Sequence, residues 1–330
     1  HYQYYVGGFP SDDPLTAAIN NWQTYQIPLD ASETTDDGWR RTAHGTPDMT
    51  RMHHLEIHAD TWGAGFTLWL DGVGFGDLAD PFVVTNTQDR DPGSLRNAIT
   101  AANAAGHDVT IRFEIPATDP GFVDIDAHLP DGDGGPDVFF IQPESPLPPL
   151  NNPDWAIAIA GETQSASSGD TNPWGPEIVL DGLSAGPWSA GLVLASNGHE
   201  ISNLVIGNFA EQGVVIEGDG NAIVGCYVGT DPLGLEARGN GRGIEIRGEA
   251  TGNVVGGTEL GAGNLISGNT WHGVHVVGAG AGGNQVLGNR IGTDGAGAAA
   301  DWGNEGDGVF IEHAPGTVVV GNLISGNWDD

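Results

Sequence analysis

Five short segments of the chain repeat one arrangement of apolar and polar positions. GLVLAS, GVVIEG, GIEIRG, GVHVVG and GVFIEH begin at residues 191, 213, 243, 273 and 308, each apolar at its second and fourth places. The pairs are Leu192/Leu194, Val214/Ile216, Ile244/Ile246, Val274/Val276 and Val309/Ile311. A period of two is that of a strand with one face buried. A second alternating segment follows each of them (NLVIGN, NAIVGC, NVVGGT, NQVLGN, TVVVGN), and often a third, such as CYVGTD, NLISGN or NRIGTD. The starting positions differ by 22, 30, 30 and 35 residues. That spacing predicts a short coil of three strands, with extra loops of varying length in some copies.

Such coils stack their buried pairs at about 4.8 Å per repeat, which predicts an all-β right-handed parallel β-helix. Gly before each strand lets the backbone turn. Asn208, Asn264, Asn289 and Asn322 in the Gly-Asn pairs are expected to take left-handed dihedrals and to stack their amides at a corner. The heptapeptide GNLISGN, present at Gly263–Asn269 and again at Gly321–Asn327, thereby reads as a strand between two turns. Upstream, DPGSLRNAITAANAA places Leu95, Ile99 and Ala102 on one helical face. It predicts a capping helix over about residues 92–105, with Asp91 as N-cap and Pro92 at the first helical position.

Before residue 81 the pattern changes. NWQTYQIPLD, MHHLEIHAD and GFTLWLDGVGFGD alternate as strands of an antiparallel sandwich. Two domains are expected, 1–80 and 81–330. The first resembles the last strands of galactose-binding-like jelly rolls of the carbohydrate-binding-module type, over roughly residues 20–77. The second carries TNTQDRDPGSLRNAITAAN, QPESPLPPL, IVLDGLSAG, IVGCYVGTDPLGLEARGNGRGIEI and VVGGTELGAGNLISGN. Over about residues 82–327 these resemble bacterial secreted right-handed parallel β-helix repeat proteins, with an SLR-x-AI cap and IGTD/NLISGN rungs. The resemblance implies the fold and an extracellular or cell-surface place. It implies little about activity, because the same architecture hosts lyases, hydrolases and epimerases beside proteins with no reaction assigned.

Charge narrows the partners. The ten basic residues are all Arg, and 44 carboxylates bring the formal charge to −34. That field repels nucleic acid and anionic membranes, and repels polyuronates unless a cation bridges them. No apolar run approaches the length of a membrane span. The one cysteine, Cys226, reads as a small buried hydrophobe in AIVGCYVG.

Four patterns carry candidate chemistry. Outward positions beside the buried pairs form two columns, Val215/Glu245/His275/Phe310 and Glu217/Arg247/Val277/Glu312. Glu217, Glu245, Arg247 and His275 thus share one patch: an acid/base constellation for a carbohydrate-active enzyme, or a solvated face with an ion pair. DIDAHLPDGDGGPD supplies Asp124, Asp126, Asp131, Asp133 and Asp137, which are calcium ligands or an exposed acidic loop. HLEIH sets His54, Glu56 and His58 on one strand face, as metal ligands or a solvent-facing stripe. Trp39, Trp62 and Trp69 stack on sugar rings or pack inside the jelly roll. The Thr-Asp pairs at Thr230-Asp231 and Thr293-Asp294 are expected as turn formers.

The expected role is a non-catalytic, secreted or surface β-helix that associates with a polysaccharide or cell-surface glycan. An open solenoid end invites a capping segment or self-association. The alternative is a polysaccharide lyase, glycoside hydrolase or epimerase; the cofactor is Ca²⁺ or none. The missing first strands of the jelly roll, and a last rung with nothing after it, suggest a window from a longer protein.

Overall fold

The computed structural model describes residues 80–125 and 136–329 in full, and the backbone of two further strands, Tyr2–Val6 and Trp39–Ala43. The chain divides into two compact units, His1–Leu78 and Ala79–Asp330. In the first, Tyr2–Val6 and Trp39–Ala43 pair antiparallel.

The second unit is predominantly β, built from three long sheets. Sheet A holds eight strands, from Val83–Val84 at one edge to Val318–Val320 at the other, every neighbour parallel. Sheet B also holds eight, ending in Leu323–Ile324. It is parallel except where Phe122–Asp124 pairs antiparallel with Asp137–Ile141. Sheet C holds five parallel strands: Leu192–Leu194, Gln212–Ile216, Arg242–Arg247, Val274–Val277 and Val309–Glu312. From Leu192 onward the chain visits C, A and B in rotation, so each strand pairs with the one three strands later.

Alternation explains the interior. Leu192, Leu194, Val214, Ile216, Ile244, Ile246, Val274 and Val276 are each at most 1% exposed and belong to one apolar cluster. Burying such a side chain contributes roughly 1.5–3 kcal/mol relative to leaving it in water. Val309 is half-buried and Ile311 exposed, as are Val318, Val320, Leu323 and Ile324 in the same rung.

The corners hold three ladders of buried asparagine. In one, the amides run Asn221, Asn253, Asn284. The second runs Asn264, Asn289, Asn322, and the third Asn240, Asn269, Asn304, Asn327. Along each ladder an Oδ1 accepts a backbone or side-chain N–H from the preceding rung. Each copy of GNLISGN therefore supplies two ladders, Asn264 and Asn269 in the first, Asn322 and Asn327 in the second.

The expected division of labour at the Gly-Asn pairs is corrected in one respect. Gly288 and Gly321 take the left-handed dihedrals (φ +65° and +72°), whereas among the four asparagines only Asn208 does (φ 62°). Asn208 also stands outside the ladders, its side chain donating to Asp181. The glycine turns the chain, and its asparagine is free to stack.

The cap is also shorter than expected. The helix is Leu95–Asn103, and Ser94, not Asp91, is its N-cap, with Oγ accepting from Asn97 N–H. Gly93 has φ +84°, which no helix through residue 92 permits. Leu95, Ala98, Ile99 and Ala102 face the apolar cluster. Asp231 and Asp294 each accept backbone N–H groups of their own loops, and the two loops touch through Gly295 N–H to Gly234 O. Differing loops after different strands account for the uneven repeat spacing. No helix among the described residues is long and apolar enough to cross a membrane.

Candidate functional site

Sheet C pairs Val215 with Glu245, Glu245 with His275, and His275 with Phe310 across neighbouring strands. Because Ile244 and Ile246 point inward, Glu245 and Arg247 take the other face. There Arg247 bridges Glu217 at 2.6 Å and Glu245 at 3.3 Å. His275 lies between two carboxylates, with Nδ1 3.6 Å from Glu245 and Nε2 3.7 Å from Glu312. The four residues singled out in the sequence, Glu217, Glu245, Arg247 and His275, thus form one continuous network.

Glu245 is its hub. It is 6% exposed, yet Gln212 Nε2 donates to it at 3.2 Å and Arg242 Nε stands 3.5 Å away. His275 first, then Gln212, Arg242 and Arg247, outweigh the cost of burial and hold its carboxyl down at about 2. At 3.6 Å the His275 contact is electrostatic rather than a formed hydrogen bond, and both ring nitrogens of His275 are buried without a hydrogen-bond partner.

Sequence reasoning missed the second layer. Arg242, His272 and Asp307 lie near the turns that lead into the strands, each next to or close before a glycine that starts the alternation. The recurring signal was an interacting residue three positions ahead of an outward one, Arg242 before Glu245 and His272 before His275. His272 stacks on Phe310 (centroids 4.6 Å, planes 22° apart) and accepts from Asp307 N–H at Nδ1. Burial lowers its pKa, which agrees with a neutral ring, while the Asp307 carboxylate 3.0 Å from the same nitrogen opposes that shift. Trp271 is 56% exposed, with the Arg242 guanidinium 5.5 Å from its ring centroid. It borders an open cavity of about 360 Å³ that Leu183, Phe209, Gly239 and Gly241 also line.

Chemically, Glu245 has no proton to give at neutral pH, so it cannot be the acid of a carboxyl pair. Its oxygens are already occupied by cations and an amide. The arrangement is a rigid mixed-charge surface edged by Trp271 and Phe310.

Comparison with known proteins yields no match. No family model, no curated protein and no solved structure matches the chain. The site is therefore read from its own geometry.

A Ser–His pair lies elsewhere. Ser196 Oγ is 2.7 Å from His199 Nε2, which suggests a nucleophile and its base. The hydrogen bonds exclude that role. His199 Nδ1 accepts from Ile157 N–H, so Nε2 carries the proton and donates to Ser196, whose own proton goes to Asn152 O. His199 N–H donates to Asn221 Oδ1, so this imidazole begins the first asparagine ladder.

Of the expected calcium residues, Asp124 and Asp137 are direct cross-strand partners, and burial together with the Asp124 charge raises the Asp137 pKa. Asp126, Asp131 and Asp133 lie outside the described residues, as do His54, Glu56, His58, Trp62 and Trp69. Trp39 opens the strand Trp39–Ala43. Among the described residues no group of three or more His, Cys, Asp or Glu is placed to hold a metal ion.

Proposed function

We propose that residues 81–330 form a right-handed parallel β-helix of three strands per coil. It follows a jelly-roll module and serves outside the cell, or at its surface, as a non-catalytic, glycan-associated scaffold. The rotation of strands through sheets C, A and B supports the architecture. The observation that carries the non-catalytic reading is geometric: Gln212 and Arg247 donate to the Glu245 carboxylate and Arg242 stands 3.5 Å away, so its oxygens already have partners. With these contacts made, Glu245 is a fixed charge on this face rather than a proton donor. The formal charge of −34 favours neutral glycans over polyuronates as what it meets.

Calorimetry against neutral and uronate oligosaccharides, alongside reducing-end and unsaturated-product assays with and without Ca²⁺, tests this. Binding of a neutral oligosaccharide without turnover is expected, weakened about tenfold by Trp271→Ala, as loss of one aromatic contact implies. Turnover that Glu245→Gln or His275→Ala abolishes would replace the scaffold with a carbohydrate-active enzyme.

A further inference from the structure

A second cavity of about 360 Å³ opens at the corner between sheets A and B. Here residues 161–177 leave the coil after strand Ile157–Ala160, form the short helix Thr163–Ser168, and return to strand Ile178–Asp181. Corner residues of later coils and the outward side chains Tyr227 and Arg290 of sheet B line the cavity, with the excursion as its other wall.

The wall is held in shape. Tyr227 Oη donates to Trp174 O at 2.7 Å. Asn172 Nδ2 donates to Pro176 O and Pro232 O, while its Oδ1 accepts from Trp174 N–H. These bonds leave Trp174 at the rim, 67% exposed. A fixed loop that presents an aromatic plane beside an open cavity is ready for a flat apolar surface.

Its polar groups carry both signs. Glu162, Asp170 and Glu177 line the cavity opposite the one cation, Arg290. Glu162 is oriented by Ser202 Oγ and Asn203 Nδ2. Glu177 is only 3% exposed. Its Oε1 accepts from Thr171 N–H, and its Oε2 has no hydrogen-bond partner. Burial raises its pKa against the pull of Thr171 and Ser165, and the Asp170 charge raises it further. A buried acceptor left without a donor is costly, and a ligand hydroxyl would supply one.

Charge then selects the ligand. A simple anion meets three carboxyl groups, and a simple cation meets Arg290. No metal-holding group exists among the described residues. A neutral polyol satisfies both signs, because every hydroxyl donates and accepts. A pyranose adds a C–H face for Trp174, and the volume suits one ring with its waters.

We propose that this cavity binds one neutral pyranose residue, stacked on Trp174, with one hydroxyl donating to Glu177 and others hydrogen-bonded by Asp170, Glu162 and Arg290. The inference rests on the glycan-associated reading but assigns it a second, separate site. Saturation-transfer NMR and calorimetry with methyl glucopyranoside, galactopyranoside and mannopyranoside test it. Galacturonate, as the free carboxylate, and glucosamine serve as the charged arms. At least one neutral glycoside should bind the full chain, at least tenfold weaker in Trp174→Ala, weaker in Asp170→Asn, and unchanged in Trp271→Ala. An unfolding midpoint equal to wild type shows that the exposed Trp174→Ala change leaves the fold intact. Neutral glycosides that bind equally well to Trp174→Ala, or preference for a charged arm, would overturn this site. Oligosaccharide binding that Trp271→Ala alone removes would overturn it too while sparing the sheet C reading. Absence of any saccharide binding would sink both.

Discussion

Two buried groups tie the stability of the chain to pH in separate windows. His199 is held neutral, because burial lowers its pKa and Nδ1 is already an acceptor. The unfolded chain takes up a proton near 6.5 that the folded chain refuses. Stability is therefore complete above about 6.5 and falls as pH drops toward the lower folded value. Glu245 has the opposite cause, a carboxyl lowered from 4.5 to about 2 by His275 first, then Gln212, Arg242 and Arg247. Its contribution is complete above 4.5 and disappears as pH falls toward 2, on the order of 3 kcal/mol in all. Urea titrations across pH should show both steps. His199→Asn should diminish the upper step, which His272 shares, and leave the lower one, since an asparagine there can accept from Ile157 N–H and continue the ladder. Glu245→Gln should remove the lower one and cost about 3 kcal/mol at neutral pH by leaving Arg242 and Arg247 beside a neutral amide. A single step shared by both variants would refute the separation. Of these residues, Glu245 and His275 were legible in the sequence from alternation alone. His199 was not, because nothing in SNGHEIS distinguishes a ladder imidazole from a surface loop.

At the scale of the element, the three asparagine ladders do at the corners what hydrogen bonding does within the sheets. Asn289 accepts Asn264 N–H and Nδ2–H at Oδ1, and donates to Val255 O and Asn322 Oδ1. Asn289→Ala leaves buried groups on both sides without partners and should lower the unfolding free energy by about 3 kcal/mol. Asn208→Ala, outside the ladders, should cost much less, and equal losses would contradict the ladder's role. Cys226 occupies the ladder position one rung earlier, donating its N–H to Asn264 Oδ1 and facing Ile201 O and Val224 O through sulfur. Burial pushes its thiol up to about 12. The native thiol should resist alkylation at pH 8 and react only on unfolding, whereas Cys226→Asn should fold and keep the ladder. The strands themselves were legible because Gly-apolar-x-apolar repeats five times. The cap boundary was less so, since DPG and SLR both offer helix starts and only the left-handed Gly93 decides between them. The excursion at 161–177 carries no signal in the sequence. Its helix is six residues of Thr, Gln, Ser and Ala with no apolar stripe, and its Trp174 lies in a Pro- and Gly-rich loop that resembles any surface turn.

For the whole molecule, charge is the term the fold leaves least balanced. Six of the seven arginines in the described residues pair with carboxylates, among them Arg96 with Asp89, Arg112 with Asp80 and Arg247 with Glu217. Salt weakens such pairs, but exposed ones contribute only about 0–1 kcal/mol each. Against them stand 44 carboxylates and ten arginines in the chain, a surplus of −34 that repels itself in the compact state. Raising ionic strength from about 0.01 M to about 0.1 M shortens the screening length from about 30 Å to about 10 Å, which relieves repulsion across a whole sheet while leaving contacts under 4 Å largely in place. The unfolding midpoint should therefore rise with NaCl, and rise for a fragment of residues 79–330 as well as for the full chain. That fragment should unfold cooperatively by itself, since among the described residues its apolar cluster runs from Val84 onward with Phe82 packed against it. The comparison with CaCl₂ at matched ionic strength separates screening from coordination. Equal shifts mean that the acidic surface responds to ionic atmosphere alone. A larger shift with Ca²⁺ in the full chain that persists in the fragment would direct attention to the Asp124–Asp137 pair, where two carboxylates already oppose each other across adjacent strands. A midpoint that falls with NaCl would mean that the arginine pairs outweigh the surplus charge.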